Sequence, residues 1–303
     1  MRAFDHYPLA ELVERIDWTP FFATWELRGA YPAILDDPRV GAAATDLYRD
    51  ARALLDRIVA ERLLRARAVV GFWPANATAD DDIILWADES RTTEAGRLHA
   101  LRQQMAKPDG RPNVSVADFV GPAGVADFVG AFAVTAGHGT DELVATFEAA
   151  NDDYSAIMAK ALADRLAEAL AERMHELVRR ELWGYAADEA LSNDELIAER
   201  YQGIRPAPGY PATPDHLAKA TLFELLDAEA QADIHLTESM AMLPTAAVSG
   251  IYLWHPASHY FGIGRMGADQ LADYARRAGM PVEDAARWLA PNLAEDASEN
   301  PAG

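Results

Sequence analysis

The sequence predicts an α+β fold, a single domain whose central antiparallel sheet is flanked by helices, and three observations carry that expectation. Strand-like and helix-like stretches fall in blocks and not in strict alternation, which favours an antiparallel sheet over a doubly wound parallel one. Half of the 303 residues are apolar, enough to build a sizeable core. No internal repeat, long linker or low-complexity tract divides the chain, so residues 1–293 are the expected domain and the polar, acidic 294–303 an expected disordered tail.

The elements follow in order. Residues 41–66 place Leu47, Ala51, Leu54, Leu55, Ile58 and Leu63 at three- and four-residue steps, the spacing of one apolar helix face. Residues 69–73 and 83–86 are β-branched and aromatic runs joined by the turn-rich PANATADDD, and so predict two paired strands; 128–134 predicts a third. The longest helical pattern spans 140–186 and should break near 151–154. A helix over 213–228 is expected to open at Thr213 and Pro214, in cap and first-turn positions. Strands at 248–254 and 258–264 and short helices at 268–278 and 282–289 complete the expectation.

Charge and composition narrow the function. Lys and Arg number 27 against 48 Asp and Glu, a formal charge of −21, so a nucleic-acid backbone would be repelled. The absence of cysteine excludes disulfides, thiolate metal sites, iron–sulfur clusters and a thiol nucleophile. The N-terminus has no apolar signal region. The weakly charged stretch 121–137 falls short of the ~20 residues a membrane span needs. The expectation is therefore a cytoplasmic protein with neither nucleic acid nor membrane as partner.

Several motifs compete with plainer explanations. Gly262-Ile-Gly264-Arg-Met-Gly267 is a literal G-x-G-x-x-G with Asp284 twenty residues past Gly264, yet the stretch around Asp284 has helical spacing. No βαβ unit fits, so glycines easing a strand into a turn is the preferred reading. His175-Glu176 opens an H-E-x-x-H pattern that fails because position 179 is Arg. His255 and His259 sit either side of Pro256, where four-residue spacing does not align side chains for a metal. Asp80, Asp81 and Asp82 read as a solvated loop surface. The most informative stretch is the proline-stiffened loop from Tyr201 to Pro214, which carries Arg205, Gly209 and Tyr210. Prolines restrict the backbone in advance, Gly209 permits close approach of a flat group, and a guanidinium fork matches a carboxylate. Spacing alone leaves two readings open: an anchor for an amino-acid-like ligand, or a turn with Arg205 paired to a surface acid.

Five motifs in order resemble one known family: Ile16-Asp17-Trp18-Thr19-Pro20-Phe21-Phe22, Ala163 to Glu168, Gly203-Ile-Arg205-Pro-Ala-Pro-Gly209-Tyr210-Pro-Ala, Leu236-Thr-Glu-Ser, and Trp288-Leu-Ala-Pro-Asn. Together they are similar to the C-terminal activation domain of cobalamin-dependent methionine synthase, over about residues 10–293, with Arg205 to Tyr210 as its S-adenosylmethionine signature. The resemblance implies a single twisted α+β fold that is not a Rossmann fold. It implies S-adenosyl-L-methionine in a shallow groove, with Arg205 on the methionine carboxylate and Asp17 on the amino group. The backbone at Gly209 and Tyr210 would take the adenine edge, Tyr260 and Phe261 would line the site, and Glu168 would lie near Asp17. His216 resembles a position that faces the corrin. No catalytic residue and no metal ligand are implied.

The implied reaction is repair in methionine biosynthesis. An electron from flavodoxin or a similar reductant and a methyl group from S-adenosylmethionine return inactive cob(II)alamin to methylcobalamin. The domain thus acts as part of a methyltransferase. The chain has no D-x-H-x-x-G element to ligate cobalamin, so a cobalamin-binding module, on the same or a separate chain, must supply it and the chain alone should turn over nothing. Docking an acidic flavodoxin would call on a local basic patch from Arg165, Arg173, Arg179 and Arg180. The alternative function is a stand-alone S-adenosylmethionine sensor or interaction module without methyl transfer. A Rossmann oxidoreductase is the weakest.

Overall fold

Residues 1–107 and 110–294 are described by the computed structural model. The chain opens with strand β1 (Arg2–Tyr7) and the short helices α1 (Ala10–Val13) and α2 (Thr19–Thr24), then the long α3 (Gly41–Glu61). Strands β2 (Arg65–Ala77), β3 (Asp82–Trp86), β4 (Glu94–His99) and β5 (Asp127–His138) follow. Helices α4 (Thr140–Ala149), α5 (Asp153–Leu177), α6 (Asn193–Ile197), α7 (Ala218–Leu226) and α8 (Ala228–Ala232) come next. The chain ends with the small β6 (His235–Leu236) and β7 (Met242–Leu243) pair, β8 (Ala247–Tyr252), α9 (Ala268–Ala278) and α10 (Val282–Leu289).

The principal sheet runs β4-β3-β2-β5-β8, with β1 also paired to β2, and every pairing is antiparallel. β2 is the spine: β1 pairs with its first half, β3 with its last three residues, and β5 with nearly all of its other edge. Period-two alternation divides the sheet between two cores. Ala68, Val70, Phe132 and Val134 pack with α3 and α5, whereas Val69, Ala131 and Ala133 pack with α7 and α8. A third cluster joins Leu271 and Tyr274 of α9 and Leu289 of α10 to Leu101, Ile263 and Met266. The observed fold is the expected α+β arrangement, and it is not a Rossmann fold.

Local chemistry explains the boundaries that matter for the site. α3 ends at Glu61 because Arg62 turns left-handed at φ 55°. α5 starts where the Asp152 side chain accepts the N–H of Ser155 at 3.0 Å, and it is buried on most sides. Its last turn widens into a π-helical segment, Val178–Leu182. The free edge of β8 is covered by the chain at 204–206: Ile204 and Leu253 exchange backbone hydrogen bonds of 2.9 and 3.0 Å, and Ile251 N–H reaches Pro206 O at 3.0 Å.

Several expectations are corrected. Residues 258–264 form no strand, so the glycines of Gly262–Gly267 follow irregular chain and not a strand end, while Asp284 lies in α10; the dinucleotide reading has no βαβ unit to stand on. The helix expected from Thr213 begins at Ala218 instead, after a bend in which Asp215 accepts the Leu217 N–H at 2.7 Å. Strands β1 and β4 were not anticipated. Asp82 is not a solvated loop residue: it is 4% exposed and held by Arg97, His99 and Arg277. Beyond Ala294 the expected tail lies outside the described residues. Among the described residues no helix is long and apolar enough to cross a membrane, and no group of three or more potential ligands could hold a metal ion.

Candidate functional site

Three carboxylates on α5, Glu168, Glu172 and Glu176, recur every four residues and so line one face about one helical turn apart. Each receives a different part of the chain. Glu176 takes Arg15 at 2.7 Å, and also Arg173 and Arg180. Glu172 takes Arg205 at 2.8 Å, and Glu168 takes the Tyr210 hydroxyl at 3.5 Å. The N-terminal segment bearing Asp17 and the proline-rich loop bearing Arg205 therefore lie against the same helix face, within about two turns. Asp17 is half-buried and its Oδ1 accepts the Thr19 N–H at 2.9 Å. Among the described residues it makes no hydrogen bond or ion pair with Arg205 or Glu168.

Arg205 is fixed from several directions. Its backbone N–H donates to the Tyr260 hydroxyl at 3.0 Å, and Nη1 donates to the Tyr201 hydroxyl at 2.7 Å and to His175 Nδ1 at 3.2 Å. With Nη2 on Glu172, the side chain retains 21% exposure, so the guanidinium is both held and reachable. His175 is fully buried, stacked on Tyr252 at 5.2 Å. Burial first, then the charges of Arg179 and Arg205, push its pKa well below that of an ordinary histidine. A neutral ring can accept from Arg205, whereas an imidazolium could not. Arg179, in the π-helical turn, is also fully buried; it forks onto Glu189 at 2.6 Å and lies 4.3 Å from the Tyr201 ring centroid.

The loop beyond Arg205 makes a tight turn. Gly209 has φ +92° and its N–H donates to Thr213 O at 2.8 Å, while Tyr210 is 55% exposed. A Cβ on Gly209 would stand 2.2 Å from His216 Cε1, so glycine is required both by the backbone and by the imidazole packed on it. The carboxylate of Glu168 first, then burial, raises the Tyr210 pKa. Phe261 meets Phe119 edge-on at 6.1 Å, joining the site to the core behind it. A cavity of about 40 Å³ behind the loop, lined by Pro206, Pro208, Pro214 and Leu222, is far below the ~300 Å³ of an ordinary ligand pocket.

The structure thus joins Arg205, Tyr260, Glu168, Gly209, Tyr210 and His216 into one connected surface, with Phe261 behind it. It also corrects three of the four arginines of the proposed basic patch: Arg179 is fully buried on Glu189, and Arg173 and Arg180 are paired with Glu176. Glu172, His175 and Arg179 were not anticipated as partners of the loop. The available signal was the four-residue recurrence Glu168, Glu172, Glu176 on a helix that also carries His175 and points toward the same loop.

The surface thus sets one partly exposed guanidinium, that of Arg205, beside the side-chain carboxylates of α5. The family described as the activation domain of vitamin B12 dependent methionine synthase matches residues 8–279. The crystal structure of the MetH reactivation domain bound to AdoHcy is similar to this chain at 53% identity and a TM-score of 0.93, covering 97% of this chain and 90% of that one.

Proposed function

Because the chain belongs to the activation-domain family of vitamin B12 dependent methionine synthase, we propose that it binds S-adenosylmethionine and presents the methyl group to cobalamin carried by a partner module, for reductive reactivation of the synthase. Bound S-adenosylmethionine supplies an electrophilic methyl group on a sulfonium. Arg205, oriented by Glu172, Tyr201 and His175, holds the ligand carboxylate. Asp17 takes the ammonium and Glu168 adds negative charge nearby. The turn at Gly209 and Tyr210 offers backbone groups to the adenine, and Tyr260 and Phe261 wall the groove. His216, seated on Gly209, faces the corrin when the partner docks.

The protein contributes position: it fixes the methyl group in line with the partner's reacting centre, a gain of proximity and orientation and not of acid–base chemistry. Its partner is a cobalamin-binding module, and electrons come from a flavodoxin-like donor that docks elsewhere than on the paired arginines of α5. The setting is the cytoplasm. The observation that carries this reading is the guanidinium of Arg205, held by Glu172, Tyr201 and His175 yet still 21% exposed. Calorimetry of S-adenosylmethionine on the wild type and Arg205→Ala tests it, and an unchanged affinity overturns it.

A further inference from the structure

Lys219 stands apart from the other buried charges. Arg179 is neutralised by Glu189, and Arg277 by Asp82 and Asp273. Lys219, 6% exposed in α7, has no carboxylate partner among the described residues. Its Nζ donates instead to Met240 O at 2.8 Å and to His216 Nδ1 at 3.1 Å. A buried ammonium without a counter-charge is costly and rare, so what it holds in place is informative.

What it holds is an imidazole clamped on two further sides. One edge of His216 lies against Gly209, where a Cβ would come within 2.2 Å of Cε1. The preceding residue, Asp215, is anchored by the Leu217 N–H at 2.7 Å and the Tyr274 hydroxyl at 2.6 Å. Only Nδ1 is engaged among the described hydrogen bonds. We propose that Lys219 is a positioning residue that fixes His216 in the Nε2–H tautomer, so that the ring offers an N–H donor beside Gly209 and Tyr210.

The reason is the proton inventory of the pair. An ammonium has donors only, so the nitrogen it meets must carry the lone pair, and in a neutral imidazole the other nitrogen then carries the hydrogen. Burial first, then the Lys219 charge, hold His216 below the ordinary histidine pKa and so favour the neutral ring, against the opposing pull of Asp215 toward the charged one. The consequence rests on the proposed orientation of His216 toward the corrin. An acceptor atom on the docked cofactor meets a hydrogen-bond donor, and coordination of the metal through Nε2 is disfavoured.

The test is a long-range proton–nitrogen correlation spectrum of the full chain labelled with ¹⁵N-histidine, near pH 7.5 and without cofactor. The His216 signals are assigned by their loss in His216→Gln. The wild type should show Nδ1 unprotonated and Nε2 protonated, and Lys219→Met should lose that single tautomer and give a mixture. A wild-type spectrum with Nδ1 protonated overturns the proposal even if Lys219→Met does not fold. A folded Lys219→Met that keeps the pure Nε2–H form also overturns it, because a merely space-filling lysine would not set the tautomer. Failure of the wild type to bind S-adenosylmethionine is a separate result: it would sink the ligand assignment and leave the tautomer measurement standing.

Discussion

Replacing Arg205 and replacing Glu172 should rank in opposite order for loss of stability and for loss of ligand binding, although the two residues form one ion pair. In Arg205→Ala, Glu172 is not stranded: its Oε1 already lies 3.8 Å from Arg179 Nη1, which has no hydrogen-bond partner. Tyr201 keeps Tyr260 at 3.4 Å, so the principal loss is the acceptor of His175 Nδ1 left without a donor. One buried unsatisfied group costs about 1–3 kcal/mol. In Glu172→Ala the shared anion disappears between two guanidinium groups, and breaking a buried pair costs about 3–5 kcal/mol. The low end, about 3 kcal/mol, is expected because Arg205 is 21% exposed and partly hydrated and Arg179 retains Glu189. Urea unfolding of both variants at pH 7 should therefore rank Glu172→Ala as the less stable. Calorimetry should rank Arg205→Ala as the weaker binder of S-adenosylmethionine, by about 2–5 kcal/mol, or roughly thirty- to several-thousand-fold in Kd. If Arg205→Ala proves as destabilising as Glu172→Ala while binding ligand normally, the guanidinium is a structural prop and the reasoning fails.

Two further outcomes follow from the same surface. Gly209→Ala forces a Cβ against His216 at φ +92° and should cost about 1–3 kcal/mol of backbone strain; His216→Ala in the same chain should recover part of that loss, and strictly additive losses in urea unfolding would refute the contact. His175 is held neutral in the folded protein by a pKa lowered well below 6.5, so the unfolded chain takes up a proton that the folded chain refuses. Its contribution is present above the unfolded pKa of about 6.5 and is lost as pH falls from there toward the folded value; denaturation midpoints between pH 7 and 5 should fall less steeply in His175→Gln than in wild type, and parallel curves would contradict the assignment.

The parts of the fold legible in the sequence are those whose signal is local. α3, α9 and α10 carry their apolar residues at helical spacing, and β2, β3, β5 and β8 carry β-branched or aromatic runs. β1, with charged and half-exposed residues, has no such pattern and exists because β2 offers it an edge. The aromatic and glycine-rich 258–264 has the composition of a strand, but its polar groups serve other segments: the Tyr260 hydroxyl oxygen accepts the Arg205 N–H at 3.0 Å, and Gly262 O accepts from Gln103 at 2.8 Å. Arg179 is read wrongly from sequence because nothing adjacent to it says that the π-helical turn after α5 carries it inside onto Glu189.

By itself the sequence determined the make-up of the candidate anchor: a guanidinium, a glycine and a tyrosine in a proline-stiffened loop, because those properties are written in consecutive residues, while spacing alone left open whether that loop binds a ligand or pairs Arg205 with an acid. Only the tertiary structure decided what surrounds them. Glu172 behind Arg205, the neutral His175, and Lys219 on His216 with no carboxylate partner among the described residues follow from burial and from side chains meeting across the fold. Burial sets the cost of each charge and therefore the partner it must find, and burial is a property of the packed chain, not of any segment of it.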